Sequence, residues 1–478
     1  MLSPSVVALV ALVMTYLGIL FSRFARLRHI PGPKLAAVTD LWAAIRTWRG
    51  ERYHEYIQDL HSKYGPVVRW GPNRVSFSEP AAIPAIYGTS HVFLKAASYK
   101  PMTVMSHGQE IPTLVTIRDE KRITGIKKHI AAGFSQSTWL SQESQIDSTI
   151  GLLIERLDQM PRQTVRLDNW MRFWQFDTLT KLSFGESRGY LSAGADLDEI
   201  FPASMARFAH WEKWASMPSL EAFICKNPIS QKLQKSTGTL VKVAMRQIQI
   251  RQSGDKHTAG NDLMGRYLAA SQAAPDVIAM NDVLALTIST IHAGSETTAT
   301  ASTMMMADSL QNPHAYEKLE REILEANLSI PAEFKAVDKL PYLDAVTRES
   351  MRLFINPHCT ERTVPSEGAT ICGNWVPGGT DVSIAEVLTA RDPEVFGADT
   401  NAFRPERWLE ADENQWREMD RSSFGFSYGR RVCIGQHLAR IEMKKVVAAL
   451  VGSFKFTLVG KPVRGFRVEA EVRVEPRM

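Results

Sequence analysis

Apolar and polar positions along the chain form several distinct patterns. An almost uninterrupted apolar run covers residues 6–21, and no charged residue precedes Arg23. With its flanks the run reaches about 20 residues, the length at which a helix crosses a bilayer. Alternation over residues 67–78, with Gly-Pro-Asn at its centre, predicts a β-hairpin. From there to about residue 355 the pattern is mostly helical.

The strongest helical pattern runs from Asn281 to about Leu310 and is apolar on all sides, which predicts a buried helix. Its centre reads Ala293-Gly294-Ser295-Glu296-Thr297-Thr298. Glycine inside a helix costs about 0.5–1 kcal/mol relative to alanine, and the Thr297 hydroxyl can bond back to the Ala293 carbonyl and bend the helix. Breaks of this kind are expected at functional sites. A glycine tolerated for packing is the alternative.

In the rest of the chain, glycine and proline residues indicate loops and turns. Residues 99–115 predict a loop, and residues 364–382 predict short strands of a small sheet. A last helical pattern begins near Leu438, directly after Cys433. The patterns together predict a mainly α chain of the α+β class, with a large helical part and a small β-rich part.

Composition narrows the class of protein. Of 478 residues, 44% are hydrophobic and 22% are charged, which is ordinary for a globular protein. The net charge of +5, without a long Lys/Arg run, gives no reason to expect nucleic acid as a partner. The four cysteines form no C-x-x-C pair, which disfavours a zinc site and a disulfide framework and favours a reducing compartment.

Cys433 stands in an unusual frame, residues 426–435, just before a predicted helix N-terminus. Backbone N–H groups and the helix dipole favour an anion there, and a thiolate is the form of cysteine that binds metals. Gly429 and Gly435 permit tight turns and the close approach of a flat partner. Arg431 can fork onto a carboxylate. A buried structural cysteine is the alternative.

This frame resembles the haem-binding signature of the cytochrome P450 family, F-x-x-G-x-R-x-C-x-G. It matches at Phe426, Gly429, Arg431, Cys433 and Gly435. The resemblance extends over nearly the whole chain and implies the P450 fold, with a large helical domain and a small β-rich domain. It also implies haem b as cofactor and Cys433 as the ligand of its iron. A thiolate in that position favours O–O cleavage.

The fault in the long helix resembles the family's oxygen-activation motif, Ala/Gly-Gly-x-acid-Thr. The matching residues are Ala293, Gly294, Glu296 and Thr297. The resemblance implies that the two small residues leave room for dioxygen next to the haem. It implies that Thr297 and Glu296 supply protons, a general-acid role that needs donors within hydrogen-bond reach.

Three further residues resemble the family's structural ion triad. Glu349 and Arg352 form an E-x-x-R pair, and Arg407 lies in Phe-Arg-Pro-Glu-Arg-Trp. The spacing of the pair alone would equally describe an exposed helix pair. The resemblance implies a buried cluster behind the haem.

Two residues match positions that bind the haem propionates in the family, Arg362 and Lys127. Lys127 stands where arginine is usual and lacks the guanidinium fork. Ile123 stands where the family more often has Trp or His, and it cannot hydrogen-bond a propionate. The resemblance therefore leaves the contacts of the haem edge incomplete.

The resemblance divides the chain into three parts. Residues 1–22 are expected to form a transmembrane signal-anchor helix, residues 23–38 a basic, proline-rich hinge, and residues 39–478 the catalytic domain. Positive charge follows the apolar run and does not precede it, which favours an anchor over a cleaved signal peptide. The expected location is the endoplasmic reticulum membrane, single-pass, with the catalytic domain on the cytoplasmic side.

The chain shows no Walker A motif and no G-x-G-x-x-G after a strand, so nothing in it predicts a flavin or nicotinamide site. The resemblance implies electrons from NADPH through a separate NADPH–cytochrome P450 reductase, with cytochrome b5 as a conceivable second donor. A basic proximal face for an acidic partner is one interpretation of five cations, and an ordinary solvated face is the other. These cations are Lys127, Lys128, Arg430, Lys444 and Lys445.

The leading prediction is a membrane-anchored haem-thiolate monooxygenase that hydroxylates, epoxidises or oxidatively dealkylates an apolar small molecule. Residues 346–348 and 358–365 resemble fungal members, including pisatin-demethylase-like enzymes, which indicates secondary metabolite biosynthesis. A reductase-independent isomerase, dehydratase or peroxygenase is the alternative, and the pair Glu296 and Thr297 argues against it. A haem carrier or gas sensor would not require the break in the long helix.

Overall fold

The structure is a computed structural model in which helices predominate and strands form small sheets. This is the predicted mainly α architecture. The part of the chain that the structure describes comprises residues 3–90, 92–106, 108–197, 199–233, 238–253, 262–354, 360–464 and 467–477.

The first half of the chain is mainly helical and includes one predicted hairpin. Its strands are β1 (Val67–Gly71), β2 (Arg74–Phe77), β3 (Leu94–Lys95), β4 (Val104–Ser106), β5 (Gln109–Ile111) and β6 (Thr164–Arg166). Its helices are α1 (Pro4–Arg26), α2 (Leu41–Trp48), α3 (Tyr53–Tyr64), α4 (Ala82–Tyr87), α5 (Glu120–Ile130), α6 (Gln136–Leu140), α7 (Glu143–Asp158), α8 (Leu167–Phe184), α9 (Tyr190–Ala193), α10 (Ile200–Trp214), α11 (Pro218–Cys225) and α12 (Pro228–Leu233).

The second half adds the long central helix and the remaining strands. Its helices are α13 (Thr239–Gln252), α14 (Leu263–Ala273), α15 (Met280–Gln311), α16 (Pro313–Glu325), α17 (Phe334–Val337), α18 (Pro341–Leu353), α19 (Glu386–Thr389), α20 (Pro393–Phe396), α21 (Arg407–Glu410), α22 (Glu413–Ser423) and α23 (Gln436–Ser453). Its strands are β7 (Arg362–Thr363), β8 (Ala369–Ile371), β9 (Asn374–Val376), β10 (Asp381–Ile384), β11 (Phe454–Arg464) and β12 (Val468–Pro476).

Helix α15 runs through the core and confirms the predicted buried helix. Most of its side chains are buried, because apolar residues occur on every face. Helices α8 and α23 pack against α15. Helix α15 therefore extends from the neighbourhood of α10 to the segment before α23 that carries Cys433. The core thereby fixes the central hexapeptide relative to the cysteine loop.

The small β part is built on the predicted hairpin of β1 and β2. The sheet order is β1-β2-β10-β7-β3, with β10 parallel to β2 and the other pairs antiparallel. In the last pair Lys95 lies opposite Arg362. A second sheet has the order β11-β12-β6.

The segment predicted as a loop, residues 99–115, is more regular than expected. It contains the end of a 3-10 helix, Ala97–Met102, followed by the β4–β5 hairpin. Aromatic and apolar residues at helical spacing over residues 205–225 predict a core segment, with a lid over the substrate channel as the alternative. This stretch forms α10 and α11. The 3-10 helix packs against both, through hydrogen bonds such as Trp211 Nε1 to the Ser98 carbonyl, 2.8 Å. Local pattern could not show this pairing, because it depends on contacts distant in sequence.

The N-terminal expectation is met only in part. A helix, α1, does occupy most of the predicted anchor, but no helix of the described residues has the length and hydropathy to cross a membrane. The predicted transmembrane helix over residues 1–22 is therefore not supported. The proline-rich segment after it is held against β1 by the buried Arg69, whose guanidinium donates to the carbonyls of Arg23, Phe24 and Ala37.

Candidate functional site

The cysteine loop is closed on itself and tied to α4. The Cys433 N–H donates to the Phe426 carbonyl over 2.9 Å. Gly429 has φ +66°, and a Cβ there would lie 2.0 Å from the carbonyl oxygen of Tyr87. Only glycine fits this approach, which explains one fixed position of the signature. The N–H of Gly435 points to the Cys433 thiol as a hydrogen-bond donor.

Cys433 and Thr297 are both solvent-accessible. Thr297 stands between the buried residues Glu296 and Thr298 of α15, so its accessible side chain faces a cleft beside that helix. Cys433 lies in a half-buried loop, with its side chain accessible. The Thr297 Oγ1 donates to the Ala293 carbonyl over 2.7 Å, which is the back-bond that the sequence suggested.

Glu296 is fully buried and held by two arginines. Arg172 of α8 donates to its Oε1 over 2.8 Å, and the Arg467 Nε lies 3.3 Å from its Oε2. Burial of a carboxylate is tolerated when it is paired in this way. The structure thus places Glu296 in an ion cluster on the α8 side of α15, while its neighbour Thr297 faces the cleft.

Gly294 has a packing role, which is the alternative that the sequence left open. A Cβ at this position would lie 2.7 Å from Leu179 Cδ1 of α8. The missing side chain therefore lets α8 approach α15 closely. Its neighbour Ala293 is partly accessible. The role of both residues toward dioxygen stays a prediction.

Four cations meet near the cysteine loop with one carboxylate among them. Lys95, Lys127, Arg362 and Arg431 interact through their charges, and Glu120 is the acidic group facing them. Burial, and then Arg362, Arg431 and Lys127, hold the pKa of Lys95 well below its usual range. Sequence reasoning missed Lys95, because no motif marks it and its position depends on β3 pairing with β7.

The bonds within this cation cluster leave capacity for a further anion. Arg431 donates from Nε to Glu120 over 2.8 Å, but its Nη1 is buried without a hydrogen-bond partner. Lys127 Nζ donates only to the Arg430 carbonyl, 2.9 Å, and Lys95 Nζ only to the Val115 carbonyl, 2.7 Å. Buried cations are rarely left without counter-charge.

The donor set fits haem b. Its two propionates are carboxylates, and the cation cluster offers them an unused N–H and an excess of positively charged side chains near the accessible Cys433 thiol. Cys433 would hold the iron, and Arg362, Arg431, Lys127 and Lys95 would hold the propionates. Ile123 is buried, so it contributes apolar packing in place of a hydrogen bond. Lys95, on β3, would supply a positive charge for the propionates that Ile123 of α5 cannot supply.

The protein around Cys433 favours the thiol form over the thiolate. Burial raises the pKa of the Cys433 thiol, while the Gly435 N–H and the charge of Lys127 oppose this effect. A metal ligand must be deprotonated, so iron binding has to release the proton. The N–H and the cation stabilise the thiolate once it forms.

Glu349, Arg352 and Arg407 lie together, fully buried, on α18 and at the start of α21. Arg352 donates from Nη2 to Oε1 of Glu349 over 2.8 Å and from Nε to Oε2 over 2.9 Å. Arg407 Nε also donates to Oε1 of Glu349, over 3.0 Å. Trp408 Nε1 donates to Oε2 over 2.9 Å, and Arg352 also donates to the carbonyls of Ala390, Thr400 and Ala402. Such complete satisfaction is what a buried ionic cluster needs. It fixes the segment 390–408 to α18.

The predicted basic face needs correction. Lys444 and Lys445 are buried on α23, because Lys444 pairs with Asp338 and Asp344 and Lys445 pairs with Asp147 and Glu143. They cannot present charge to a partner. Lys128 and Arg430 are exposed. The sequence also predicts that side chains of residues 356–360 face substrate and that Cys359 is a free thiol, but residues 355–359 lie outside the described part of the chain.

Comparison with known proteins agrees with this geometry. The cytochrome P450 family model matches residues 31–465. A cytochrome P450 monooxygenase from Aspergillus terreus is 32% identical over 474 residues, which cover 95% of each chain. The monooxygenase cicH of Emericella nidulans is 33% identical over 94% of this chain and 92% of its own. The monooxygenase mfmA of Annulohypoxylon moriforme is 31% identical, covering 91% and 88%.

The fold and the comparisons define a monooxygenase of a family that uses haem: the chain belongs to the cytochrome P450 family. Its relatives are fungal monooxygenases, so the predicted class of enzyme, an oxidoreductase of the monooxygenase type, is confirmed.

Proposed function

We propose that this enzyme inserts one atom of dioxygen into an apolar small molecule by hydroxylation, epoxidation or oxidative dealkylation, within fungal secondary metabolism. The observation that carries the proposal is the accessible Cys433 thiol beside the cation cluster, together with the accessible Thr297 in the otherwise buried helix α15. When bound, haem would supply oxygen activation, and thiolate ligation favours O–O cleavage. The fungal relatives support the metabolic setting.

The protein's own part is positioning and proton supply. The Thr297 hydroxyl donates to the Ala293 carbonyl and can redirect its proton into the cleft. Glu296 sits one residue away but is tied to Arg172 and Arg467, so it can move protons only by releasing one of these contacts. Burial shields the Glu296 carboxylate from bulk water, whereas Thr297 is open to the cleft. These roles are those of positioned general acids.

Electrons would come from NADPH through NADPH–cytochrome P450 reductase, with cytochrome b5 as a second donor. A surface cleft of about 550 Å³ adjoins the cysteine loop and is lined by Tyr428, Arg421 and Arg417, among others. Lys128 and Arg430 are exposed, and each is adjacent in sequence to a predicted site residue, Lys127 and Arg431 respectively. Exposed cations at this side suit an acidic electron carrier, because complementary charge speeds encounter.

We also propose that the enzyme works attached to the cytoplasmic side of the endoplasmic reticulum membrane. The support is the sequence, in which no charge precedes Arg23 and basic residues follow. Cell fractionation with an alkaline carbonate wash tests this location. Recovery of the protein in the membrane pellet is expected, and recovery in the wash would contradict firm attachment.

The proposed reaction is tested by reconstitution with reductase, NADPH and a library of apolar compounds. Wild type should form oxygenated product with label from ¹⁸O₂, and consumption of NADPH should track product. Thr297→Ala should keep haem but waste reducing equivalents, while Thr298→Ala, a buried neighbour on the same turn, serves as control. Equal coupling in Thr297→Ala and wild type would contradict the proposed proton supply.

An isomerase, dehydratase or peroxygenase is the rival within the same fold. The retained pair Glu296 and Thr297 favours the monooxygenase, since such reactions do not need protons delivered during oxygen activation. Product formation in the absence of NADPH and reductase would favour the rival instead.

A further inference from the structure

Three side chains that can ligate a metal ion meet on helices α10 and α11. They are His210 of α10 and Glu221 and Cys225 of α11. A ring nitrogen, a carboxylate oxygen and the thiol sulfur, one atom from each residue, all lie within 4.8 Å of one another. In the part of the chain that the structure describes, this is the one group of three such residues with that geometry.

The local sequence explains how the three residues come together. Glu221 and Cys225 are four residues apart, so they lie on the same face of α11. Only residues 215–217 separate α10 from α11, and the His210 Nε2 lies 3.0 Å from the Glu221 Oε1. A search for paired cysteines misses this set, because one of its members is a cysteine and the other two are not.

Glu221 is a buried carboxylate whose bonding capacity is only partly used. Its Oε1 is hydrogen-bonded with His210, whereas its Oε2 is buried without a hydrogen-bond partner. Lys226 Nζ lies 3.4 Å from Oε2, but it donates its hydrogen bond to the Lys100 carbonyl over 2.6 Å. A buried carboxylate is normally paired or bound to a metal. Glu221 therefore has a lone pair to offer to a further cation.

The charges of the three ligands suit a divalent cation. The Glu221 carboxylate and a thiolate at Cys225 would carry one negative charge each, and the imidazole of His210 would bind in its neutral form. Burial, and then the charge of Glu221, raise the pKa of the Cys225 thiol. Metal binding must therefore displace the thiol proton.

Two lysines are the nearby cations that a metal ion would have to tolerate. Lys226 and Lys213 act on the Cys225 thiol through their charges and oppose the rise of its pKa. Lys226 Nζ also lies 3.9 Å from a carboxylate oxygen of Glu110. Lys226 thus keeps that carboxylate and the Lys100 carbonyl as partners when a metal ion takes the carboxylate of α11.

The site is open to solvent on one side, so a metal ion can enter it. The His210 side chain is 36% exposed and Cys225 is half-buried, whereas Glu221 is fully buried below them. Imidazole, carboxylate and thiolate are the three ligand types that proteins use for zinc, and three of them leave a fourth tetrahedral position for water. A thiolate disfavours the hard cations magnesium and calcium.

We propose that His210, Glu221 and Cys225 bind a zinc ion, with a water molecule as the fourth ligand. The site is separate from Cys433 and Thr297 in sequence, and it does not depend on the proposed function. Bound zinc would bridge α10 and α11, and hydrogen bonds from both helices already hold them on the 3-10 helix at 97–102. The metal would thereby stiffen this part of the fold.

The first test measures protection of the Cys225 thiol in the purified ferric holoenzyme. Enzyme freed of loosely bound metal by a chelator is alkylated with iodoacetamide in the presence of zinc chloride or magnesium chloride, and the modified peptides are quantified by mass spectrometry. With free zinc at about ten times the dissociation constant, alkylation should slow about tenfold, since only the metal-free fraction reacts. Magnesium should not slow it. Cys372, measured in the same samples, should react at the same rate with and without zinc.

The second test measures affinity by competition with a fluorescent zinc chelator. Wild type should bind one zinc ion that Cys225→Ser and His210→Asn bind far more weakly. Removing an outer-shell partner of a bound metal already weakens binding about 10- to 100-fold, so the loss of a ligand should weaken it at least as much. His314→Asn, which removes an exposed histidine of α16, should bind zinc as wild type does.

Alkylation of Cys225 at the same rate with and without zinc would overturn the inference in wild type alone, whatever the variants do. Wild-type zinc affinity in both Cys225→Ser and His210→Asn would also overturn it, because the ion would then occupy another site. Neither test uses reductase, oxygen or substrate, so the proposed function is judged separately.

Discussion

Replacing Lys95 by methionine tests the cation cluster most sharply. Lys95 is 8% exposed, and its ammonium lies among Arg362, Arg431 and Lys127. In the haem-free protein the substitution removes a repelled charge together with one hydrogen bond to the Val115 carbonyl. These two effects oppose each other, so the stability of the haem-free protein should change little. Haem affinity should fall, because a propionate loses a partner.

The size of the loss follows from the type of bond. A hydrogen bond to a charged group contributes about 1.5–3 kcal/mol. Each 1.4 kcal/mol is a factor of ten in an equilibrium constant, so haem should dissociate roughly 10- to 100-fold more readily. Transfer of haem from the ferric enzyme to excess apomyoglobin, followed by absorbance, measures this change directly.

Lys121→Met is the matched control, since Lys121 is an exposed lysine on α5 and its loss changes the net charge equally. The control should release haem at the wild-type rate. Haem release from Lys95→Met at the wild-type rate would refute the assignment. A haem-free Lys95→Met protein that unfolds far more easily than haem-free wild type would show instead that Lys95 serves the fold.

Three other predictions follow from buried polar groups. Arg352→Ala should yield protein without haem, because removing one member of a buried ionic cluster costs about 3–5 kcal/mol; full haem incorporation would contradict this role. Arg172→Met should lower stability by a similar amount, about 3 kcal/mol, and adding Glu296→Gln should recover most of the loss in urea unfolding, whereas additive losses would exclude the pairing. Burial lowers the pKa of His61 from 6.5 to about 4. As the pH falls, His61 is therefore protonated in the unfolded chain before it is protonated in the folded protein. The unfolding free energy should therefore fall by up to about 3 kcal/mol as pH drops from 6.5 to 4, and a His61→Gln variant with the same pH slope would contradict this origin.

Much of the fold could be predicted from periodicity. Apolar residues on every face predict the buried helix α15, and alternation around Gly-Pro-Asn predicts the β1–β2 hairpin. Capping chemistry also agrees locally, since Asp119 accepts from the N–H groups of Lys121 and Arg122 at the start of α5. These features depend on neighbours in sequence, which is why sequence alone sufficed.

The site was predictable only where motifs mark it. Cys433 and Thr297 carry recognisable frames, whereas Lys95 is a single cation in an ordinary stretch of sequence. The environment of Lys95 arises from the tertiary pairing of β3 with β7. No local pattern encodes such distant partners.

The prediction of a basic face was wrong for the same reason. Lys444 and Lys445 follow a helical pattern typical of a solvated face, yet α17, α18 and α7 surround them with carboxylates or cover them. Burial of a lysine pair needs acids from several segments, and sequence cannot show that these segments converge. Gly294 is a further case, since its close contact is with Leu179 of α8.

The central claim is that the sulfur of Cys433 holds the haem iron, and one measurement addresses it most directly. Carbon monoxide added to the reduced, purified enzyme should give the red-shifted Soret band of thiolate-ligated haem. In Cys433→Ala this band should disappear, while Cys372→Ala, a free cysteine outside the signature, should retain it. The same red-shifted band from Cys433→Ala would contradict the account.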